Sequence, residues 1–180
     1  MRDFNFAVLV SVKENAPIAT HLPFIIEEKE GEIHLLAHMS RANEQWKYFG
    51  EEVLVIFSEP HAYVSPSLYQ KVENVPTWNY ISVHAYGKIS IIDQPDKQLG
   101  LLEKQMQSFD PGYLKQWAVI SPEYKDALRK GIVAFEIIVT DLQGKEKLSQ
   151  NKTEADRQNV KKFLEESDDA LKQYLAKKMK

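Results

Sequence analysis

The sequence predicts a mainly β protein: an antiparallel barrel, closed or nearly closed, with helices only at its periphery. Three observations carry that expectation. Several segments rich in β-branched and aromatic residues show period-two or continuous apolar patterning, as strands do. Short turns separate them and helical periods are few, which disfavours alternating βα units. With 180 residues, 43% of them hydrophobic and 27% charged, the chain can build a real core and is too apolar for general disorder.

The elements follow in order. In residues 4–12 (FNFAVLVSV), Phe4, Phe6, Val8, Val10 and Val12 alternate strictly, which predicts a strand burying one face. Asn15-Ala16-Pro17 reads as a turn, Ile18–Ile26 as a second strand, Lys29-Glu30-Gly31 as another turn and Glu32–Met39 as a third strand. Trp46 and Phe49 at helical spacing predict a short helix in Arg41–Phe49, with Ser40 as its N-cap. Val53–Ser58 is a continuous apolar run, hence a strand buried on both faces, and Ala62–Val64 extends or pairs with it. Asn79–Asp93 is a long strand in which Gly87 marks a bulge or bend. Pro95–Phe109 turns helical, with Asp93 as N-cap and Leu99, Leu102 and Met106 on one face; Pro122–Arg129 predicts a second short helix. Gly131–Leu142 is the last strong strand. From Thr153 a charged helical tail carries Val160, Phe163, Leu164, Leu171 and Leu175 as its apolar stripe. The domain reading is one barrel domain over 1–151 and a C-terminal helix over 152–180 packed on it or extending from it.

Composition narrows the function. No apolar run approaches the length of a membrane span and the N-terminus has no signal pattern. The chain contains no cysteine, which removes disulfides and thiolate chemistry and suits the cytoplasm. A net charge of −3 gives duplex binding no support, because phosphate contacts supply most non-specific affinity. Dinucleotide, Walker A, zincin and nucleophile-elbow motifs are missing. His34 and His38 point the same way on one strand and could share a metal, but no third ligand is evident.

Chemistry concentrates elsewhere. His38-Met39-Ser40-Arg41-Ala42-Asn43 sits where a strand hands over to a helix. A helix N-terminus with an arginine beside it suits a phosphate; the same residues also read as a Ser cap with a solvent-facing Arg. Tyr63–Tyr69 and Val75–Tyr80 combine aromatic and hydroxyl groups, suited to a flat heterocycle or to a barrel core and dimer contact. Lys147-Leu148-Ser149-Gln150-Asn151 joins the last strand to the tail.

Through these segments, together with Ala19-Thr20-His21-Leu22-Pro23-Phe24, Trp46 and Val83-His84, the chain resembles the PaiB-type family of FMN-binding negative transcriptional regulators from about residue 4 to 165. The resemblance implies an antiparallel split β-barrel of the FMN-binding type, similar to pyridoxamine-phosphate oxidases and flavin reductases. It implies a cytoplasmic homodimer with FMN at the subunit boundary. Carried over, His38, Ser40, Arg41 and Asn43 would hold the flavin phosphate, Thr20 and His21 would lie beside the ribityl chain and ring, and Ser149, Gln150 and Asn151 would close the pocket. Trp46 belongs to the cofactor-binding pattern as well. Members commonly carry a further segment and helix before the first strand, where this chain starts almost at that strand. The implied role is repression of sporulation and of protease synthesis, with the flavin sensing redox state or metabolite supply. An FMN-dependent oxidoreductase or flavin reductase acting on a small substrate is the alternative, although no titratable pair stands out as acid and base. No helix-turn-helix is readable, so direct DNA binding is the third option.

Overall fold

The computed structural model describes residues 1–180 and divides into two compact units, Met1–Ile56 with His84–Leu142, and Phe57–Val83 with Gln143–Lys180. Neither unit is continuous in sequence, because two long strands run from one into the other.

In the first unit the strands are β1 (Phe6–Lys13), β2 (Ala16–Pro23), β3 (Ile25–Lys29), β4 (Glu32–Ser40), β5 (Val53–Phe57) and the unit's portions of β7 (Thr77–Ile91) and β8 (Ile132–Lys147). They pair in the order β2-β1-β5-β7-β8-β4-β3. Local backbone chemistry sets the joints. Glu14 and Asn15 both take positive φ (49° and 65°), making the tight β1–β2 turn one residue earlier than Asn15-Ala16-Pro17 suggested. Glu30 and Gly31, at φ 53° and 85°, make the expected β3–β4 turn. The predicted strand Ile18–Ile26 is two strands, broken around the buried Phe24.

The buried face of β1 is the opposite of the expected one. Ala7, Leu9 and Ser11 are buried, whereas Phe6 is 63% and Val12 59% exposed. Alternation locates two faces but not which of them meets the core, and here both are largely apolar. Val53, Val55 and Phe57 of β5 are buried while Leu54 and Ile56 are only half-buried, so that run has one core face rather than two. The register Val8↔Ile56 and Val10↔Leu54 joins the outer faces of β1 and β5 into one apolar surface. Inside, Phe135 meets Phe24 and Phe49 edge-on at 6.4 and 5.2 Å between ring centroids.

Gly87 lies within an unbroken β7. A Cβ there would fall 2.5 Å from the Ile138 carbonyl oxygen and 2.6 Å from Ile137 Cγ2. Close approach of β8, rather than a bulge, demands the glycine. Three helices complete the unit: α1 (Pro95–Phe109), α2 (Tyr113–Val119) and α3 (Pro122–Lys130). Gln94, not Asp93, precedes α1, without a side-chain cap. The buried face of α1 is Gln98, Leu101 and Gln105, one position from the predicted Leu99–Leu102–Met106 stripe, which is half-buried. The shift occurs because both glutamines find buried partners: Gln98 donates to Ile92 O at 2.7 Å and Gln105 meets His38 at 2.7 Å.

In the second unit, β6 (His61–Val64) pairs with Thr77–Tyr80 of β7. The tail is two helices, α4 (Glu154–Glu165) and α5 (Ala170–Lys178), with Thr153 capping the first through Asp156 N at 3.2 Å. Asp169 caps the second, its side chain accepting from Leu171 N at 2.9 Å. Val160, Leu164 and Leu175 form the core with Val64, Tyr69 and Leu148, while Phe163 stays half-exposed. β8 reaches Lys147, five residues beyond the predicted Leu142 end.

Candidate functional site

Alternation along β4 sends Leu35, Ala37 and Met39 into the core. Leu36, His38 and Ser40 take the other face, where Leu36 packs against Leu101 of α1 and His38 against Gln105. Ser40 is still paired with Ile132, and its Oγ accepts from Ala42 N within the turn rather than from a helix amide. Asn43 is the cap instead: its Oδ1 accepts from Gln45 N at 3.1 Å, opening a 3-10 helix over Glu44–Tyr48.

The intervening turn is closed on itself. Arg41 N donates to Gly131 O and Asn43 N to Ser40 O, both at 2.9 Å, and Ala42 N donates to Ser40 Oγ at 3.3 Å. A phosphate would not find there the row of free amides expected of a helix start, and a single 3-10 turn has little dipole. Any anion grip at this corner falls to side chains.

Gln45, which sequence reasoning passed over, holds the corner together. It is only 5% exposed, and its Nε2 lies 3.1 Å from Leu9 O, 3.2 Å from Ser11 Oγ and 3.3 Å from Ile18 O. Its Oε1 accepts from the Thr20 hydroxyl, which in turn accepts from Asn43 Nδ2 at 2.9 Å. Thr20 and Asn43, both half-buried, are therefore drawn into one network with β1 and β2 around the buried Gln45. A signal existed: Ser11 is a polar residue on the Ala7–Leu9 face, and a buried hydroxyl requires a partner.

Arg41 projects from the same turn. Its Nε donates to Lys130 O and its Nη2 to Ile132 O, each at 2.9 Å. The guanidinium lies 5.8 Å from the Trp46 ring centroid, and Trp46 Nε1 donates to Arg41 O at 3.2 Å. No carboxylate pairs with Arg41; the carboxylates nearest in sequence are engaged elsewhere, Glu44 with Lys47 at 2.5 Å. Two carbonyls fix the plane of the fork and leave the rest of its five donors exposed with the charge uncompensated.

His38 faces a groove of about 450 Å³ lined with Ser40, Tyr124, Leu128 and Ile132. Burial pushes its pKa below the ordinary histidine value, against the opposing pull of the Gln105 hydrogen bond, so the ring is neutral near pH 7. His21 lies on the opposite face of β2 from Thr20; it is exposed and stacked on Phe6 at 6.1 Å with 27° between planes. Ser149, Gln150 and Asn151 belong to the second unit. Ser149 is buried at φ 62° and donates to Asn79 Oδ1 at 3.1 Å. Gln150 closes the turn, accepting from Leu148 N at 2.7 Å and donating to Glu146 O at 2.8 Å, while Asn151 is exposed. Within the first unit, then, Thr20 joins Asn43, Arg41 joins Trp46, and His38 joins Ser40 along the groove.

A family model described as "Putative FMN-binding domain" matches residues 1–141. The chain is 39% identical to the protease synthase and sporulation protein PAI 2 of Bacillus subtilis, over 99% of this chain and 87% of that protein. It is 31% identical to the uncharacterized protein AN0679 of Emericella nidulans, covering 79% and 72% of the two chains. Among solved structures, the flavocytochrome Anf3 of Azotobacter vinelandii aligns with a TM-score of 0.64 at 16% identity, over 84% of this chain and 66% of that one. The FAD and heme binding protein of Mycobacterium smegmatis aligns with a TM-score of 0.64 at 16% identity, over 86% and 72%. These likenesses establish the antiparallel split-barrel architecture, and the family model, matching most of the chain, establishes its kinship: the chain belongs to the FMN-binding family that this model describes.

Proposed function

We propose that this protein is an FMN-binding regulator of the PaiB type, which lowers protease synthesis and sporulation through its flavin rather than through autonomous DNA recognition. The observation that carries the reading is Arg41: a guanidinium held in plane by two backbone carbonyls, exposed, with no carboxylate to neutralise it. Such a fork is pre-organised for a phosphate, so the residues present fit the terminal group of FMN. Ser40 and the Trp46 indole flank it. The exposed Phe6–His21 stack is a flat surface on which a ring system could lie. Bound FMN supplies redox chemistry; the chain's own groups bind and orient it. His38, neutral and hydrogen-bonded to Gln105, positions β4 without carrying charge, and Ser149 with Gln150 shape a turn in the second unit.

The apolar outer face of β1 and β5, with Phe6, Val8, Val10, Val12, Leu54 and Ile56, supports a homodimer, since such a contiguous surface marks an interaction site. Light scattering should give twice the chain mass, and Val10→Lys should give a monomer. A net charge of −3 supports the indirect route to regulation, in the cytoplasm; a salt-dependent, sequence-selective shift of promoter DNA by the purified protein would overturn that part.

Titration of the purified protein with FMN, followed by flavin fluorescence, tests the proposal. Saturable quenching is expected, weakened about ten- to a hundredfold in Arg41→Ala, the ~1.5–3 kcal/mol of a charge-assisted hydrogen bond. Absence of binding by the wild-type protein would remove flavin from the account.

A further inference from the structure

A cavity of about 380 Å³ opens in the first unit between α1 and the outer faces of β4 and β8, away from Arg41. Its apolar floor is Leu36, Ile92 and Leu101, continuous with the small core cluster that includes Ala134. Its rim carries Lys29, Lys97 and Lys104, and Glu136 is the one carboxylate among the lining residues. On α1, Lys97, Leu101 and Lys104 share one side by helical spacing, so two cations flank an apolar residue over the opening. The lower wall is fixed, since Ile92 N donates to Ala134 O at 2.9 Å and Ile92 O accepts from Gln98 at 2.7 Å.

The charges around the cavity do not cancel. Glu27 binds Lys29 at 2.9 Å and also Lys104, and Glu136 binds Lys29 at 3.2 Å. Glu136 is shared with His34 Nδ1 at 2.8 Å. The two carboxylates thus serve Lys29 and Lys104, and Lys97 pairs with neither of them. Gly100 supplies a second, independent observation. It lines the cavity from inside a 15-residue helix, where glycine weakens the helix. A Cβ built on it meets no atom within 4 Å, so packing does not require a glycine; the space a side chain would take is the cavity itself.

We infer that this cavity is a binding site for a small monoanionic carboxylate with an apolar body, distinct from the flavin site. The carboxylate would sit at Lys97 and the neighbouring lysine rim, and the body on Leu36, Ile92 and Leu101. At ~30 Å³ per water-sized group the volume admits about a dozen non-hydrogen atoms, the size of an aryl or branched-chain acid and too small for a flavin nucleotide.

The test is a two-dimensional amide NMR titration of the full chain with phenylacetate, with acetate (charge without body) and benzyl alcohol (body without charge) as separate arms. Phenylacetate should shift the α1 amides saturably with a Kd of about 1 mM, and each half-probe should bind at least about tenfold more weakly. Lys97→Met should weaken phenylacetate about tenfold. Gly100→Leu, which fills the space with a better helix former, should abolish binding while its melting temperature stays at or above wild type. Unsaturated or absent α1 shifts up to about 20 mM phenylacetate, acetate binding as well as phenylacetate, or wild-type affinity in Gly100→Leu would each overturn the proposal.

Discussion

Arg41 and Arg129 stand in the same unit, each with its guanidinium held by several hydrogen bonds, and their charges are treated oppositely. Arg129 places Nε and Nη2 on Asp126 Oδ1 at 2.9 and 2.5 Å and Nη1 on Gln98 Oε1 at 2.9 Å. Its charge is met within α3, and the side chain is only 16% exposed. Arg41 is fixed equally well, but by Lys130 O and Ile132 O, neutral groups that orient the fork without discharging it. The difference separates a cation that holds the fold together from one prepared for an anion from outside. Hydrogen-bond number does not distinguish them; charge compensation does.

The largest effect should come from the frame beneath Arg41. Gln45→Ala removes the partner of Leu9 O, Ile18 O and the Ser11 and Thr20 side chains at once, and should lower unfolding free energy by about 3 kcal/mol in urea melts. FMN affinity should fall with it, because the turn that aims Arg41 loosens. Next, Arg41→Ala should weaken FMN by about 1.5–3 kcal/mol while shifting the melting temperature little. Arg41→Lys should recover only part of that loss, having the charge without the fork. Arg129→Ala should invert the pattern, lowering the melting temperature by about 3 °C with FMN affinity unchanged. Were both arginines to behave alike in both assays, the distinction would fail.

The smallest effect is a pH slope. Burial, partly offset by the Gln105 hydrogen bond, depresses the His38 pKa. The unfolded chain therefore takes up a proton that the folded chain refuses. The His38 contribution is fully present above about pH 6.5, the ordinary histidine value, and is lost as pH falls through the lower folded value. Comparing wild type with His38→Gln by denaturant melts across that window should show a shallower slope in the variant.

Much of this was legible in the sequence. Residue periodicity placed Pro95–Phe109 and the strand from Glu32, and the Lys29-Glu30-Gly31 turn is where it reads. What could not be read has a common physical origin. In β1 both faces are apolar, so alternation did not say that Phe6 and Val12 point outward. Ser40 and Asn43 are both good caps, and only the start of the helix at Glu44, with Asn43 accepting from Gln45 N, decides between them. Gln45 looks like a surface residue of a short helix until four strand atoms converge on it. Arg41 stands out in the sequence as a cation at a strand end, but its anchors, Lys130 and Ile132, lie some ninety positions away.

The most direct test of the central claim separates phosphate from flavin. FMN and riboflavin share ring and ribityl chain and differ in the phosphate, so their affinity ratio isolates that group. Wild type should prefer FMN by about ten- to a hundredfold, and Arg41→Ala should bind the two nearly equally, with riboflavin affinity unchanged. An equal preference in wild type and variant would contradict the account, since Arg41 would then be no more than a clamp on β8.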